Sequence, residues 1–427
     1  MRTLNSANRY KLIPGGILYL YLLALLHWFG HWWPNRGAVA NVVQAATDTP
    51  FMQAGPRFSD FFQILYASKA THPYLFHATD YPPGALVVTR LFGVFPDVIA
   101  LAVFVALCIG LISGVVQSIP TVSRVFKVSL VLCFPVMFAV DRGNLDLLAV
   151  ALVLLATYYD ETNPTIIGLL IGIAVAIKLW PIVFIFAFTR RIGFARILLW
   201  AIVSSAIVTF VGQLHYGGSL LSAFAVNGIT DGPQAFTHST TLISALSLLG
   251  SMLTVHGIGQ LHYISNLLFT RLLCFSIGGM LLLLLLAQRK FSKRLLAASL
   301  IVLLIPSVSF MYRDAIMLVP LVAELTDPAI DNEIPPWWIV LSWIVVFSPT
   351  AFWYSSNSGI GTDSLIVPAA LLVLGSSLEP MPLATIKARL ADWRYKSLSL
   401  LKSRSLNESS TDARSASVGL LDGGFKE

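Results

Sequence analysis

From residue 98 to residue 117 the chain carries no charged side chain. As a helix rising about 1.5 Å per residue, that run reaches about 30 Å, the thickness of a bilayer's hydrocarbon core. Apolar runs recur at 12–33, 197–214, 266–287, 295–310, 337–353 and 365–378. In lipid each run must satisfy its own backbone N–H and C=O groups, so each reads as a helix. With 56% hydrophobic and 11% charged residues, against about 25% charged in soluble domains, the chain is expected to be an all-α polytopic membrane protein built as one bundle. The net charge of +7 then reflects Lys and Arg gathered on the cytoplasmic side, and no nucleic-acid partner is expected. Cys108, Cys133 and Cys274 fall in apolar runs and read as small buried hydrophobes, neither a disulfide set nor a metal site.

The segment Asp141-Arg142-Gly143-Asn144-Leu145-Asp146 separates two charge-free runs, 128–140 and 147–159. Charge at such a place is costly and usually has a task. Gly143 lets the turn adopt a backbone conformation that other residues resist. The expectation is a tight hairpin whose tip holds one cation and two carboxylates at a membrane surface; the plainer reading is a polar loop with two stop charges. A second hairpin, 165–177 and 182–188, turns at Lys178-Leu179-Trp180-Pro181. Arms of about 10 to 21 Å fall short of the ~30 Å core, so either the turn residues extend them or their tips lie in a polar cavity.

Arg124 and Lys127, then Arg190, Arg191 and Arg196, then Arg289, Lys290, Lys293 and Arg294 mark cytoplasmic loops. The pattern predicts about twelve crossings with both termini inside, beginning with an uncleaved helix at 12–33 that ends in a Trp cluster. A long first extracytoplasmic loop occupies 34–83. Within it Phe61, Phe62, Leu65, Tyr66 and Ala70 follow Asp60 at near-helical spacing, which predicts an amphipathic helix lying on the membrane. Tyr81-Pro82-Pro83-Gly84 breaks the chain ahead of a short apolar stretch, 84–95. A second polar outer region, 215–263, carries His238. Residues 381–427 read as a basic, partly disordered cytoplasmic tail.

On this topology Asp60, Arg142, Lys178 and Arg313 share the outer face. Three separated cations at membrane depth can hold a phosphate or pyrophosphate whose lipid tail stays in the bilayer. A carboxylate beside them can act as base toward a hydroxyl. Each residue also has a structural alternative. Asp60 can be a helix N-cap, Arg142 can pair with Asp141 or Asp146 to close its turn, Lys178 can snorkel, and Arg313 can pair with Asp314. Tyr81, Asn144, Asp146, His238 and Tyr312 are candidates for a sugar or acceptor pocket, with Asn144 and Asp146 also holding the hairpin. Trp180 reads as an interface residue, and Asp48 and Asp80 are the substitute bases. No cluster of His, Asp and Glu has metal-ligand spacing, so no metal and no other cofactor is expected.

The order Phe58-Ser59-Asp60-Phe61, Tyr81-Pro82-Pro83, Arg142-Gly143-Asn144-x-Asp146, Lys178-x-x-Pro181 and Ser309-x-x-Tyr312-Arg313 resembles glycosyltransferase family 87, within the GT-C integral-membrane superfamily. It is similar in particular to polyprenol-phosphate-mannose-dependent mannosyltransferases, over roughly residues 10–378. The resemblance implies a GT-C-type domain over 1–380. It also implies inverting transfer of a hexose, mannose first, from a polyprenyl-phosphate sugar to a glycan or glycolipid acceptor of the cell envelope. A first-loop carboxylate, here Asp60, is the implied base. Members often carry His in the last motif, where this chain has Ser309, Phe310 and Tyr312.

A transporter or flippase of a lipid-linked saccharide would also place cations in a membrane cavity. Such proteins commonly show inverted repeats and a site near the midplane. Here the polar residues gather on one face, and no second copy of the Asp60 loop occurs, which favours the enzyme.

Overall fold

Prolines and glycines set where the helices of this chain begin and end. The computed structural model describes residues 9–10, 12–32, 58–74, 81–120, 122–159, 163–191, 193–217, 268–305, 311–327, 335–348 and 363–379. Its helices are α1 (Leu12–Trp32), α2 (Ser59–Lys69), α3 (Pro83–Phe92), α4 (Asp97–Gln117), α5 (Arg124–Val131), α6 (Phe134–Arg142), α7 (Asp146–Tyr158), α8 (Pro164–Ile177), α9 (Ile182–Ile185), α10 (Phe194–Tyr216), α11 (Leu268–Ala287), α12 (Phe291–Leu304), α13 (Leu318–Thr326), α14 (Trp337–Phe347) and α15 (Asp363–Gly375). Short 3₁₀ helices cover Phe186–Phe188 and Met311–Met317. No strand occurs among the described residues.

Proline stands in the first turn of α3, α6 and α8, where its missing N–H costs nothing. This corrects one expected element. The arm predicted at 128–140 is two helices, α5 and α6, broken at Leu132 and Cys133. Pro135 pushes Phe134 away from a continuing helix and clashes with the preceding turn, so the chain restarts there. The segment carrying Arg313 and Asp314 is a 3₁₀ helix that runs directly into α13.

α4 and α10 are each long and apolar enough to cross a membrane. α7 and α8 have 13 and 14 residues, so each reaches only about 20 Å. α7 is buried on nearly every side, from Asp146 to Leu154 and again at Ala156, as expected of a helix apolar all round. It packs on α4, α8, α13 and the 3₁₀ helix at Met311–Met317, while α6 lies mainly on that same 3₁₀ helix. The arms flanking Gly143 therefore share that 3₁₀ helix and touch each other only slightly, and α7 packs mainly against α4 and α8 instead of along α6 as the expected hairpin would.

Glycine allows the closest approaches. α8 lies against α10 where Gly168 and Gly172 face Ile197, Ala201 and Ser204; a Cβ on Gly168 would stand 2.5 Å from the Ile197 carbonyl oxygen. Small residues at such a seam let two apolar helices meet backbone to backbone. α3 fits between these two helices, with Gly84 against Ala176 and Gly212 against Pro83. Residues 1–378 form one compact unit. Asp48, Asp80, His238 and the basic tail after residue 380 lie outside the described residues.

Candidate active site

α6 ends in a paired capping arrangement. Gly143 N–H bonds the Val140 carbonyl at 2.9 Å and Asn144 N–H the Ala139 carbonyl at 3.1 Å, with Gly143 left-handed at φ 62°. This is the Schellman pattern, which favours Gly at that position. A side chain there would also collide with α2, because its Cβ would lie 2.6 Å from Cβ of Phe61. The same cap makes room for a backbone link: Phe58 N–H donates to the Asp141 carbonyl at 2.8 Å. Phe58 is the positive-φ residue other than glycine among the described residues, at φ 58°, a conformation costing about 1–2 kcal/mol. Strain of this kind persists where the surroundings over-determine it. Here it sets α2 down so that its first turn faces the end of α6.

α2 is the expected amphipathic helix. It buries Phe61, Ile64, Leu65 and Ala67 and leaves Tyr66 exposed. Phe58, not Asp60, is its N-cap, and that cap has no side-chain bond. Asp60 is freed for another use. Its Oδ1 accepts from Arg142 Nη2 at 2.8 Å and from Ser59 Oγ at 3.2 Å, and its Oδ2 accepts from Asn144 Nδ2 at 2.7 Å. A carboxylate has about four acceptor positions, so the three donors leave space for a hydroxyl. The far end of α2 is anchored by Lys69, 2.7 Å from Asp97 at the start of α4, and by Tyr216, whose hydroxyl donates to the Ser68 carbonyl at 2.9 Å. Tyr74, just beyond, donates to the Tyr81 carbonyl at 2.9 Å, and burial pushes its hydroxyl well above the usual phenol range.

Asn144 joins this half of the site to a second half. While its Nδ2 donates to Asp60, its Oδ1 accepts the backbone N–H of Asp146 at 2.8 Å. Only this orientation of the amide serves both partners. Asp146 opens α7 and is fully buried. Its Oδ1 accepts the Trp180 indole N–H at 2.6 Å, and its Oδ2 lies 3.8 Å from both Lys178 Nζ and Arg313 Nη2. Lys178 follows the last residue of α8, and its ammonium also sits 4.0 Å above the Tyr81 ring, a cation–π contact.

The structure thus brings together Asp60, Arg142, Asn144, Asp146, Lys178, Arg313 and Tyr81. Asn144 and Asp146, candidates for a sugar or acceptor pocket that were also read as holding the hairpin, are buried at 2% and 0% exposure, and Asn144 bonds both Asp60 and the Asp146 N–H. The structure revises two sequence readings. Trp180, read as an interface residue, is part of the polar network; nothing in the sequence marks its indole as the partner of a particular carboxylate. Arg142, whose local partners were Asp141 and Asp146, reaches across to Asp60. The Tyr312 side chain and His238 lie outside the described residues. Among the described residues no group of three or more His, Cys, Asp or Glu side chains has metal-ligand geometry.

The chemistry of such a site is that of anion binding beside a carboxylate that can accept a proton. No curated protein and no solved structure matches the chain. The family model of glycosyltransferase family 87 matches residues 79–312. That span contains Tyr81, Arg142, Asn144, Asp146, Lys178 and Trp180, while Arg313 directly follows it and Asp60 lies well upstream of it. With more than half of its length covered by that match, the chain belongs to glycosyltransferase family 87.

Proposed function

We propose that this glycosyltransferase moves a hexose, mannose in the first instance, from a polyprenyl-phosphate sugar to a lipid-linked or cell-envelope glycan, with inversion. The observation that carries this reading is Asp60 itself. It is a partly exposed carboxylate on an amphipathic helix, bonded to Arg142 and one side chain removed from the Lys178 and Arg313 pair. A sugar hydroxyl is a poor nucleophile at neutral pH and needs a base within hydrogen-bonding reach. In the proposed step the acceptor oxygen attacks the anomeric carbon and its proton passes to Asp60. The bond from that carbon to the phosphate breaks, leaving its electron pair on the phosphate oxygen. Phosphate is already a competent leaving group, so no second carboxylic acid need protonate it, unlike the acid pair of glycoside hydrolysis. Arg142, Lys178 and Arg313 hold the phosphate by charge-assisted bonds, and Tyr81, with His238 and Tyr312, borders the sugar or acceptor. The proposed setting is the plasma or inner membrane, with about twelve crossings and the site on the extracytoplasmic face.

Membranes bearing the protein, supplied with radiolabelled polyprenyl-phosphate mannose and candidate acceptors, test the reading. A new glycosidic bond that depends on Asp60 supports it. Movement of label across the membrane with no new bond would replace the enzyme by a transporter of lipid-linked saccharides.

A further inference from the structure

We propose that Trp180 is a positioning residue for Lys178. By holding one oxygen of Asp146, its indole keeps the other from closing a direct bond with the Lys178 ammonium, which stays available to substrate. The inference rests on the reading of Lys178 as a phosphate-binding residue. Lys178 is the C-cap of α8, with an extended backbone at φ −144° and ψ 141°. Its N–H bonds the Ala174 carbonyl at 2.9 Å. Pro181 disfavours a helical backbone at Trp180, so the chain leaves α8 in a tight turn before α9 begins. Residues 178 and 180 of that turn reach the same buried carboxylate. The Trp180 indole donates to Asp146 Oδ1 at 2.6 Å, and Lys178 Nζ lies 3.8 Å from Oδ2. The indole is itself braced edge-on by the buried Phe184 ring, with centroids 6.1 Å apart.

The two oxygens of Asp146 are treated unequally. Oδ1 has a short bond, whereas Oδ2 is buried and takes no hydrogen bond among the described residues. A buried acceptor left in that state is costly and uncommon. The nearest remedy would be for Lys178 to move in by about 1 Å and bond Oδ2 directly, at the usual length of a charge-assisted bond. That would satisfy the carboxylate and draw the cation inward onto an internal partner. Two contacts oppose it. The indole bond fixes the rotation of the carboxylate, and the Tyr81 ring attracts the ammonium at 4.0 Å from its centroid, without needing a particular N–H direction. The Lys178 side chain is 19% exposed and that of Asp146 0%, so an incoming anion can meet the cation but not the carboxylate. Without the indole, the carboxylate can turn and pair with Lys178 at the expense of substrate.

A double-mutant cycle separates this role from a purely structural one, because only a residue that acts through Lys178 loses its effect when Lys178 is gone. The readout is the Kd of radiolabelled polyprenyl-phosphate mannose for the full-length protein in detergent. Trp180→Phe keeps an aromatic ring beside Phe184 and removes the N–H; it should raise Kd by about tenfold, the size of a lost bond to a charged group. Lys178→Met removes the charge at similar length and should raise Kd by about 10- to 100-fold. In the Lys178→Met background, Trp180→Phe should change Kd by less than about twofold. Equal weakening in both backgrounds, or wild-type Kd in Trp180→Phe, overturns the inference. Should Trp180→Phe fail to fold, 3-benzothienylalanine at position 180, which replaces only the indole N–H by sulfur, takes its place. Should Lys178→Met fail to fold, wild-type Kd in either position-180 variant still overturns the inference, and a tenfold rise in both supports it. A wild type that does not bind the probe, or a Lys178→Met protein that binds it as tightly as wild type, sinks the underlying phosphate-site reading and the inference with it.

Discussion

Arg142 Nη2 donates to Asp60 Oδ1 at 2.8 Å across 82 residues of chain, joining the end of α6 to the first turn of α2. The two side chains are 32% and 16% exposed, so the pair stands at the edge of the buried network and open to solvent. Arg142 is therefore both the counter-charge of the proposed base and one of the groups proposed to bind the donor phosphate. A phosphate that draws the guanidinium toward itself leaves Asp60 held by Asn144 and Ser59 and open to a hydroxyl.

Asp60→Asn should reduce kcat by about 10²–10⁴-fold, the usual worth of a general base. The amide nearly preserves the shape, so the melting temperature and donor binding should stay close to wild type. Single-turnover assays, with the anomeric configuration of the product determined by NMR, check both rate and inversion. Near-normal turnover in this variant, together with a dead Asp48→Asn or Asp80→Asn protein, would move the base to one of those positions.

Arg142→Ala should lower kcat/KM for donor by about 10- to 100-fold, since bonds between ionised partners are worth about 1.5–3 kcal/mol. The loss should appear in donor KM more than in acceptor KM. Arg142→Lys should recover part of it, because a point charge replaces a planar fork. Equal effects on both substrates would confine Arg142 to a structural tie.

Gly143→Ala should be destabilising by about 1–2 kcal/mol from its left-handed backbone alone. The new methyl group also meets Cβ of Phe61 at a separation of 2.6 Å before any adjustment. Because that contact seats α2, activity should fall together with the thermal unfolding temperature. A protein as stable and active as wild type would show that α2 does not depend on this approach.

The proposed topology places His72 outside and Arg289 inside, and both are exposed. Cysteines at these positions, in a chain whose native Cys108, Cys133 and Cys274 are replaced by alanine, should label differently in intact spheroplasts. A membrane-impermeant maleimide should modify His72→Cys at once and Arg289→Cys only after lysis. The reverse pattern would put the site on the cytoplasmic face.

Local rules were enough for much of the chain. The second apolar run begins and ends at Asp97 and Gln117 as its composition dictates. α2 follows from the spacing of Phe61, Leu65 and their neighbours, and Pro83 starts α3 because proline is tolerated at that place and not further in. The break at Pro135 was open to the same rule, but the absence of charge across 128–140 suggested one uninterrupted arm. The list of polar residues at the site was also readable, since charge between apolar runs is rare and expensive. What each charge faces was decided only by tertiary structure. Arg142 had carboxylates beside it in sequence and took one 82 residues away, while Asp146 drew Lys178, Trp180 and Arg313 from separate segments. The physical reason is range. Helix periodicity and proline geometry act within a few residues, whereas an ion pair depends on which helix ends the packing of α2, α6, α7 and α8 brings within about 4 Å.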